Sequence, residues 1–395
     1  MTMADDPAAL NSAGLRALGQ GDAATAAALL ARAAAADPVS ALLWYNLATA
    51  HGAAGDGGAE IAALDRALNL DPYFDHALLC KGRALEGRGD MAAALDYYQR
   101  LVAATDPRAQ NGPGFSAGLA HARTALATAN DRLSERLDAA LAPSLSGMGD
   151  DDSRRFRHFV DASLGRRRLY QHQPLVMNYP YLPAEQFFAR SHFPWLEQLE
   201  AATPAIRAEL QALLAAGGEG FAPYVAYPAG APVNQWADLN HSDAWAAQFL
   251  IQHGINQDSV RARCPTTAAV LDGLPLFDLP GRGPVAFFSL LKPQTRIPPH
   301  TGATNVRTII HLPLIVPPEC GFRVGNETRA WVEGEAFAFD DTIEHEAWNG
   351  SDQLRAVLII DTWNPHIGIA ERGLLADYVA ALDAAGRGLQ GFEPG

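Results

Sequence analysis

Cysteine is scarce: Cys80, Cys264 and Cys320 are the only three in 395 residues, far apart and odd in number. That excludes a disulfide framework and a Cys-x-x-Cys metal site, and it favours a reduced, cytoplasmic setting. Positive charge is also in deficit, with 30 Lys and Arg against 44 Asp and Glu and a net charge of −14. Such a surface repels nucleic acid and anionic membranes, so neither is expected as a partner. No run of about 18 uncharged apolar residues occurs, which leaves no membrane span. Residues 1–6 are acidic and precede no long leucine-rich core, so no signal peptide is expected. What remains, with 48% hydrophobic and 19% charged residues, is a globular composition long enough for two cores.

The first third of the chain repeats. Asp37-Pro38, Asp71-Pro72 and Asp106-Pro107 recur at spacings of 34 and 35 residues, and Gly21-Asp22, Gly55-Asp56 and Gly89-Asp90 recur every 34. Alanine- and leucine-rich stretches of helical periodicity lie between them, such as Leu42, Trp44, Tyr45 and Leu47, then Ile61, Leu64, Ala67 and Leu68. Gly-Asp marks the turn inside a helix pair and Asp-Pro the turn between pairs, the proline being expected in a first helical turn. A 34-residue helix–turn–helix period with Trp44 near its start and Pro72 near its end resembles the tetratricopeptide repeat. Three repeats are expected over about 6–107 and a closing helix over about 115–141, giving a helical domain at 6–141. Arrays of this kind expose a concave groove suited to a peptide or partner protein.

Residues 142–178 look like a linker or junction, polar and glycine-containing at 144–153. Arg154, Arg155, Arg157 and Arg166, Arg167, Arg168 form a basic patch there, best explained by pairing with nearby acidic surface. From 179 the texture changes to prolines, aromatics and short apolar runs. Strands are expected at 285–291, 306–316, 320–324, 328–332, 335–339 and 354–363, separated by turns such as Gly325-Asn326 and Glu333-Gly334. Such spacing points to an antiparallel sandwich or barrel of jelly-roll type over 179–370. The stretch 184–270 reads as mainly helical and flanking, and 371–395 as a C-terminal helix and tail. The fold class is therefore α+β and multidomain, a helical solenoid followed by a β domain.

Within the β domain, His300-Thr301-Gly302 is followed 45 residues later by His345 and ten residues after that by Arg355. Two histidines on strand-like segments can offer neutral imidazoles to Fe(II) while leaving coordination positions open. An arginine beyond them can hold the far carboxylate of 2-oxoglutarate, because its fork matches a carboxylate bidentately. Ser289 and His311, on neighbouring strands, can complete that anchor. Taken singly, each has an ordinary alternative: one of 12 histidines in a β domain is usually structural, and a lone Arg355 is usually a surface charge. The position two after His300, where the common facial triad places a carboxylate, is Gly302.

The surrounding text narrows the choice. His300 to Arg307, His311-Leu312-Pro313-Leu314, Arg323 to Glu327, Trp331-Val332-Glu333-Gly334, Phe339 to Asn349 and Arg355 to Pro365 together resemble the aspartyl/asparaginyl β-hydroxylase family over roughly 175–370. The resemblance implies a double-stranded β-helix and hydroxylation dependent on Fe(II), 2-oxoglutarate and dioxygen. It implies iron on His300 and His345 with glycine in the third position, and Arg355, assisted by Ser289 and His311, on the cosubstrate. It also places Trp245 near the cosubstrate and Arg307 toward the substrate, where a carboxylate can be held. One departure is Ile309, where the family pattern has a second arginine. The balancing acid at the metal is then expected from Asp340 or Asp341, and an aspartate placed at 302 is expected to be tolerated by the metal.

The expected function is a 2-oxoglutarate-dependent dioxygenase that hydroxylates the β-carbon of an Asp- or Asn-type residue in a peptide held by the repeats. The alternatives are an oxygenase acting on a small molecule or lipid acyl chain, and a non-catalytic repeat-containing binding protein.

Overall fold

Three Gly-Asp turns set the geometry of the N-terminal half of the computed structural model, which describes residues 6–106 and 112–388. They join α1 (Pro7–Gly19) to α2 (Ala23–Ala36), α3 (Ala41–Ala53) to α4 (Gly57–Leu70), and α5 (Asp75–Gly87) to α6 (Met91–Ala104). Gly21, Gly55 and Gly89 take left-handed backbone at φ 83°, 77° and 81°, which costs glycine no side-chain clash. At the first turn Gly21 N donates to Leu18 O and Asp22 N to Ala17 O, both at 3.0 Å, and the other two turns repeat the pattern. These paired bonds satisfy the last carbonyls of the outgoing helix. Each aspartate then caps the incoming helix, accepting from the amides of Thr25, Ala59 and Ala93 at 3.0, 3.0 and 3.1 Å. One dipeptide ends one helix and starts the next, which is why it recurs.

Asp37 and Asp71 are the C-caps of α2 and α4. Pro38 and Pro72 follow in the connecting turns, where proline stops a helix, rather than in a first helical turn as expected. Pro107 of the third mark and the tail at 389–395 lie outside the described residues. Small and branched apolar side chains, among them Ala26, Leu30, Ala33, Leu47, Leu64, Ala77 and Leu101, fill the core between the helices. A seventh helix, α7 (Pro113–Leu145), adds Phe115, Leu119 and Ala122 to that core and runs past the expected end at 141.

A second compact unit begins at Asp150. Residues 142–178 are therefore not a linker throughout, contrary to expectation. α7 occupies the first residues, α8 (Asp150–Ser163) follows, and the stretch beyond it is bonded into the β structure. Gln173 N donates to Thr342 O at 2.8 Å, and Leu175 N and Val176 N donate to Gly302 O and Ala303 O at 3.0 and 2.9 Å. The polar composition that suggested a linker reflects a surface helix, and two arginines that follow it are paired, Arg166 with Asp161 and Arg167 with Glu327.

The strands are β1 (Ala222–Pro223), β2 (Trp245–Gln252), β3 (Ile255–Asn256), β4 (Ala286–Leu291), β5 (Thr295–His300), β6 (Arg307–Ile315), β7 (Cys320–Val324), β8 (Glu327–Ala330), β9 (Phe337–Phe339), β10 (His345–Asn349) and β11 (Arg355–Trp363). One antiparallel sheet runs β1-β2-β4-β11-β6-β9, with β3 beside β2, and a second runs β5-β10-β7-β8. The chain passes back and forth between the sheets from β4 to β11, the winding of a double-stranded β-helix. β2 corrects the reading of 184–270 as mainly helical: its alanines and glutamines carry no β-branched signal, and pairing with β4 decides the conformation.

Central strands are buried on both faces. Ala286, Phe288, Leu290, Ile310, Leu312, Ala356, Leu358 and Ile360 face a helix layer built from α9 (Leu196–Ala201), α10 (Thr203–Ala215), α11 (Asp258–Arg261) and α12 (Pro265–Asp272). The alternate residues of the same strands point between the two sheets, and Arg307, His311, Arg355 and Asp361 all lie on that side. α13 (Ile369–Ala384) closes the unit, packing Leu375 and Val379 near Phe277 and Trp363.

Candidate active site

β5 ends on His300 and β10 begins on His345, directly opposed in antiparallel register, with ring centroids 4.0 Å apart. Each ring is held from behind. His300 Nδ1 meets Pro298 O at 2.8 Å and His345 Nδ1 meets Ile343 O at 3.0 Å. A carbonyl only accepts, so each Nδ1 carries the proton and each Nε2 keeps its lone pair. Burial pushes the His300 imidazolium down to about 4 and that of His345 well below its ordinary value. Two neutral imidazoles fixed in the ligating tautomer suit a divalent transition metal.

Gly302 is explained by its neighbour. A Cβ there would lie 2.0 Å from Asp341 Oδ2 and 2.2 Å from Asp341 Cγ. The space a side chain at 302 would need is therefore filled by a carboxylate from the loop after β9. Gly302 N donates to Asp341 O at 2.6 Å, which fixes the two segments together. Asp341 Oδ2 accepts from Arg307 Nη2 at 3.0 Å, while its Oδ1 is buried without a partner. Burial raises this carboxyl to about 6 against the lowering effect of Arg307. An aspartate at 302, expected to be tolerated by the metal, would first have to displace Asp341. Asp340 is engaged elsewhere, with Thr342 Oγ1 at 2.6 Å and His172 at 2.8 Å.

Arg355 opens β11 and is only 1% exposed. Among the described residues it pairs with no carboxylate, and its Nε and Nη1 have no hydrogen-bond partner. Its guanidinium lies over the Trp331 ring, 4.7 Å from the centroid, and burial holds its pKa down to about 10. His311 stacks on the same ring, with centroids 5.5 Å apart, and its Nδ1 is likewise without a partner. Ser289 Oγ, from the adjacent β4, accepts from Trp245 Nε1 at 3.1 Å. A buried cation lacking its anion is costly. A carboxylate brought by a ligand would complete both this arginine and His311.

Arg307, expected toward the substrate, lines the same cavity and keeps its Nε without a partner. It reaches Asp341 at 3.0 Å and Asp361 at 3.9 Å, so its charge is already shared between two acids before any substrate arrives. Asp361 also accepts from Val285 N at 2.8 Å, and burial pushes its carboxyl up to about 7.

All seven residues singled out from the sequence (Trp245, Ser289, His300, Arg307, His311, His345 and Arg355) line one cavity of about 640 Å³, together with Asp341, Asp361 and Ile309. Aromatic rings contribute part of the remaining wall, among them Tyr224, Tyr227, Trp236, Phe249 and Phe287. Sequence reasoning missed Asp361 and the platform role of Trp331. An acid near the end of an apolar strand was the available signal for the first; nothing local announced the second.

Fold and cavity together define an oxygenase-type β domain. Comparison points to a family likeness: residues 200–365 match the family described as aspartyl/asparaginyl β-hydroxylase. The human aspartyl/asparaginyl β-hydroxylase is 35% identical over 136 residues, 34% of this chain and 18% of that protein. The ornithine lipid ester-linked acyl 2-hydroxylase of Rhizobium tropici is 32% identical over 197 residues, 49% of this chain and 66% of that protein. Human aspartate β-hydroxylase domain-containing protein 1 is 41% identical over 138 residues, 34% of this chain and 35% of that protein. The chain thus spans less than two thirds of the length of each of these relatives. Among solved structures, the Sgt2 tetratricopeptide repeat domain from Aspergillus fumigatus is similar to 32% of this chain and 82% of its own, at 22% identity and a TM-score of 0.28.

Proposed function

We propose that this protein is an Fe(II)- and 2-oxoglutarate-dependent hydroxylase with His300 and His345 as the metal ligands and Arg355 as the anchor of the cosubstrate's distal carboxylate. The observation that carries the reading is Arg355, a buried guanidinium with two unpartnered nitrogens in the same cavity as the histidine pair. A carboxylate there gains a charge-assisted, bidentate bond, and His311 and Ser289 lie close enough in the fold to add to it. Bound iron and cosubstrate would supply the oxidising chemistry that turns a C–H bond into C–OH.

The chain's own residues contribute placement. Pro298 O and Ile343 O fix the histidine tautomers, so that both Nε2 lone pairs are left for a metal. Asp341 keeps one free carboxylate oxygen in the cavity, able to accept a proton-bearing ligand at the metal and to balance its charge. Trp245, Trp331 and Phe322 keep the anchor dry, which strengthens every charge interaction around it. The repeat unit would hold a peptide or protein substrate in its concave face, presenting an Asp- or Asn-type side chain to the cavity.

A second reading of the substrate has its own support. With Arg307 engaged by Asp341 and Asp361, and Ile309 where a second arginine is common in the family, the cavity has little spare positive charge for a substrate carboxylate. A neutral group, an amide or an acyl chain, fits that better, and one relative is named for acyl 2-hydroxylation. Both readings are tested by incubating the protein with Fe(II), 2-oxoglutarate, ascorbate and oxygen against Asp peptides, Asn peptides and acyl lipids, and searching by mass spectrometry for one added oxygen atom. Addition that disappears in His345→Ala supports the enzyme reading; no addition, with no uncoupled succinate formed, counts against it.

A further inference from the structure

We propose that Glu185, His192 and His366 form a second divalent-metal site, of the borderline-soft class represented by Zn²⁺, separate from the histidine pair in the cavity. None of the three lines that cavity. Their ligating atoms all lie within 4.8 Å of one another. Tetrahedral bonds of about 2.0–2.1 Å place neighbouring ligand atoms roughly 3.3–3.5 Å apart, so small side-chain rotations close the set.

An ordinary ion pair explains only part of the arrangement. His366 Nε2 and Glu185 Oε1 are 2.9 Å apart, as an isolated pair would be. His192 is then left over: its ring sits 5.2 Å from that of His366, and among the described residues no hydrogen bond or ion pair engages it. Two imidazoles and a carboxylate converging at the surface gain little from one another without a cation between them. The donor set, two nitrogens and one oxygen, suits Zn²⁺, Co²⁺ or Ni²⁺ better than Mg²⁺ or Ca²⁺, which prefer all-oxygen ligands.

The ligands are also held from behind by bonds that leave their heads free. Phe188 N donates to Ala338 O at 3.0 Å, and Arg190 forks onto Glu200 with two bonds of 2.8 Å, so the 185–192 segment is pinned to the sheet. His366 N donates to Asn364 Oδ1 at 3.0 Å, and buried Asn364 donates in turn to Asn305 O at 3.0 Å. A metal therefore meets a site with little left to order. Glu185 and His366 are partly exposed and His192 is exposed, which leaves water to fill the remaining coordination positions. The ion would tie the segment before α9 to the end of β11, the strand that starts with Arg355.

The test is a Zn²⁺ titration of the full chain at neutral pH against a chromogenic chelator, run on wild type, His192→Ala, Glu185→Gln and His345→Ala. The expected result is two ions per wild-type chain and one in each variant, with the double variant His192→Ala/His345→Ala binding none. Zn²⁺ should raise the Tm of His345→Ala but not that of the double variant. Because His192 is exposed, its alanine variant should fold, and the comparison of His192→Ala with wild type alone decides the matter if His345→Ala does not. Zn²⁺ stoichiometry and affinity in His192→Ala within about twofold of wild type would overturn the proposal.

Discussion

The two units of this chain treat buried polar groups in opposite ways. In the helical unit, polar groups that approach the core are paired: Lys81 bonds to Asp65, Tyr98 to Glu86 and Asn46 to Asn11. Among the described residues, every buried side-chain atom without a hydrogen-bond partner belongs to the second unit, and five of those residues (Arg307, His311, Asp341, Arg355 and Asp361) line one cavity. Unpaired buried polar groups are expensive and uncommon in folded proteins. Among the described residues the first unit has none, and five of the twelve in the second surround one cavity, which separates a scaffold whose contacts close on themselves from a site that awaits a ligand.

That contrast predicts where substitutions will be felt. The largest effect belongs to the histidine pair: His300→Ala or His345→Ala should lose at least nine tenths of bound iron and all measurable turnover, read by metal analysis and by succinate release. Unchanged iron content would remove the histidines from the metal. Next comes Gly302→Asp, whose side chain must displace Asp341 from Arg307. Iron should bind several-fold more weakly and Tm should fall, whereas Gly302→Asp combined with Asp341→Ala should recover much of both. Equal iron affinity in the single variant would mean that Asp341 moves aside freely. The smallest effect lies in the scaffold. Asp56→Ala removes one helix cap and should cost about 1 kcal/mol, a Tm shift of roughly 2–4 °C in a unit of this size, with iron and cosubstrate affinity unchanged.

How much was legible in the sequence follows the same divide. The repeats could be read because each Gly-Asp pair does two local jobs, a left-handed helix end and a helix cap, and local jobs leave periodic marks. The strands β4, β6, β7, β8, β9 and β11 were expected from short apolar runs between turns. β5 and β10, which carry the histidines, read as strand-like but could not be bounded: β5 contains Pro298 and Pro299, tolerated because it is an edge strand, and β10 carries Glu346 and Asn349 among its five residues. The histidines, Arg355, Ser289, His311 and Trp245 were nevertheless picked out by motif, and the fold brings them to one cavity. What could not be read were relations between distant segments: Asp341 in the space beside Gly302, and Arg307 between Asp341 and Asp361. These depend on sheet register and loop path, which no local pattern encodes.

The central claim is that Arg355 is buried for a ligand and not for the fold, and Arg355→Met tests it most directly. Methionine keeps much of the volume and removes a buried charge that has no protein partner, so the ligand-free Tm should stay level or rise, since apolar replacements of buried charges are often neutral or stabilising. Losing a charge-assisted bond costs roughly 1.5–3 kcal/mol, so the Kd for 2-oxoglutarate, measured by calorimetry on the metal-loaded protein, should rise by about one to two orders of magnitude. A lowered Tm with an unchanged Kd would contradict the account, placing Arg355 in the scaffold and the anchor elsewhere.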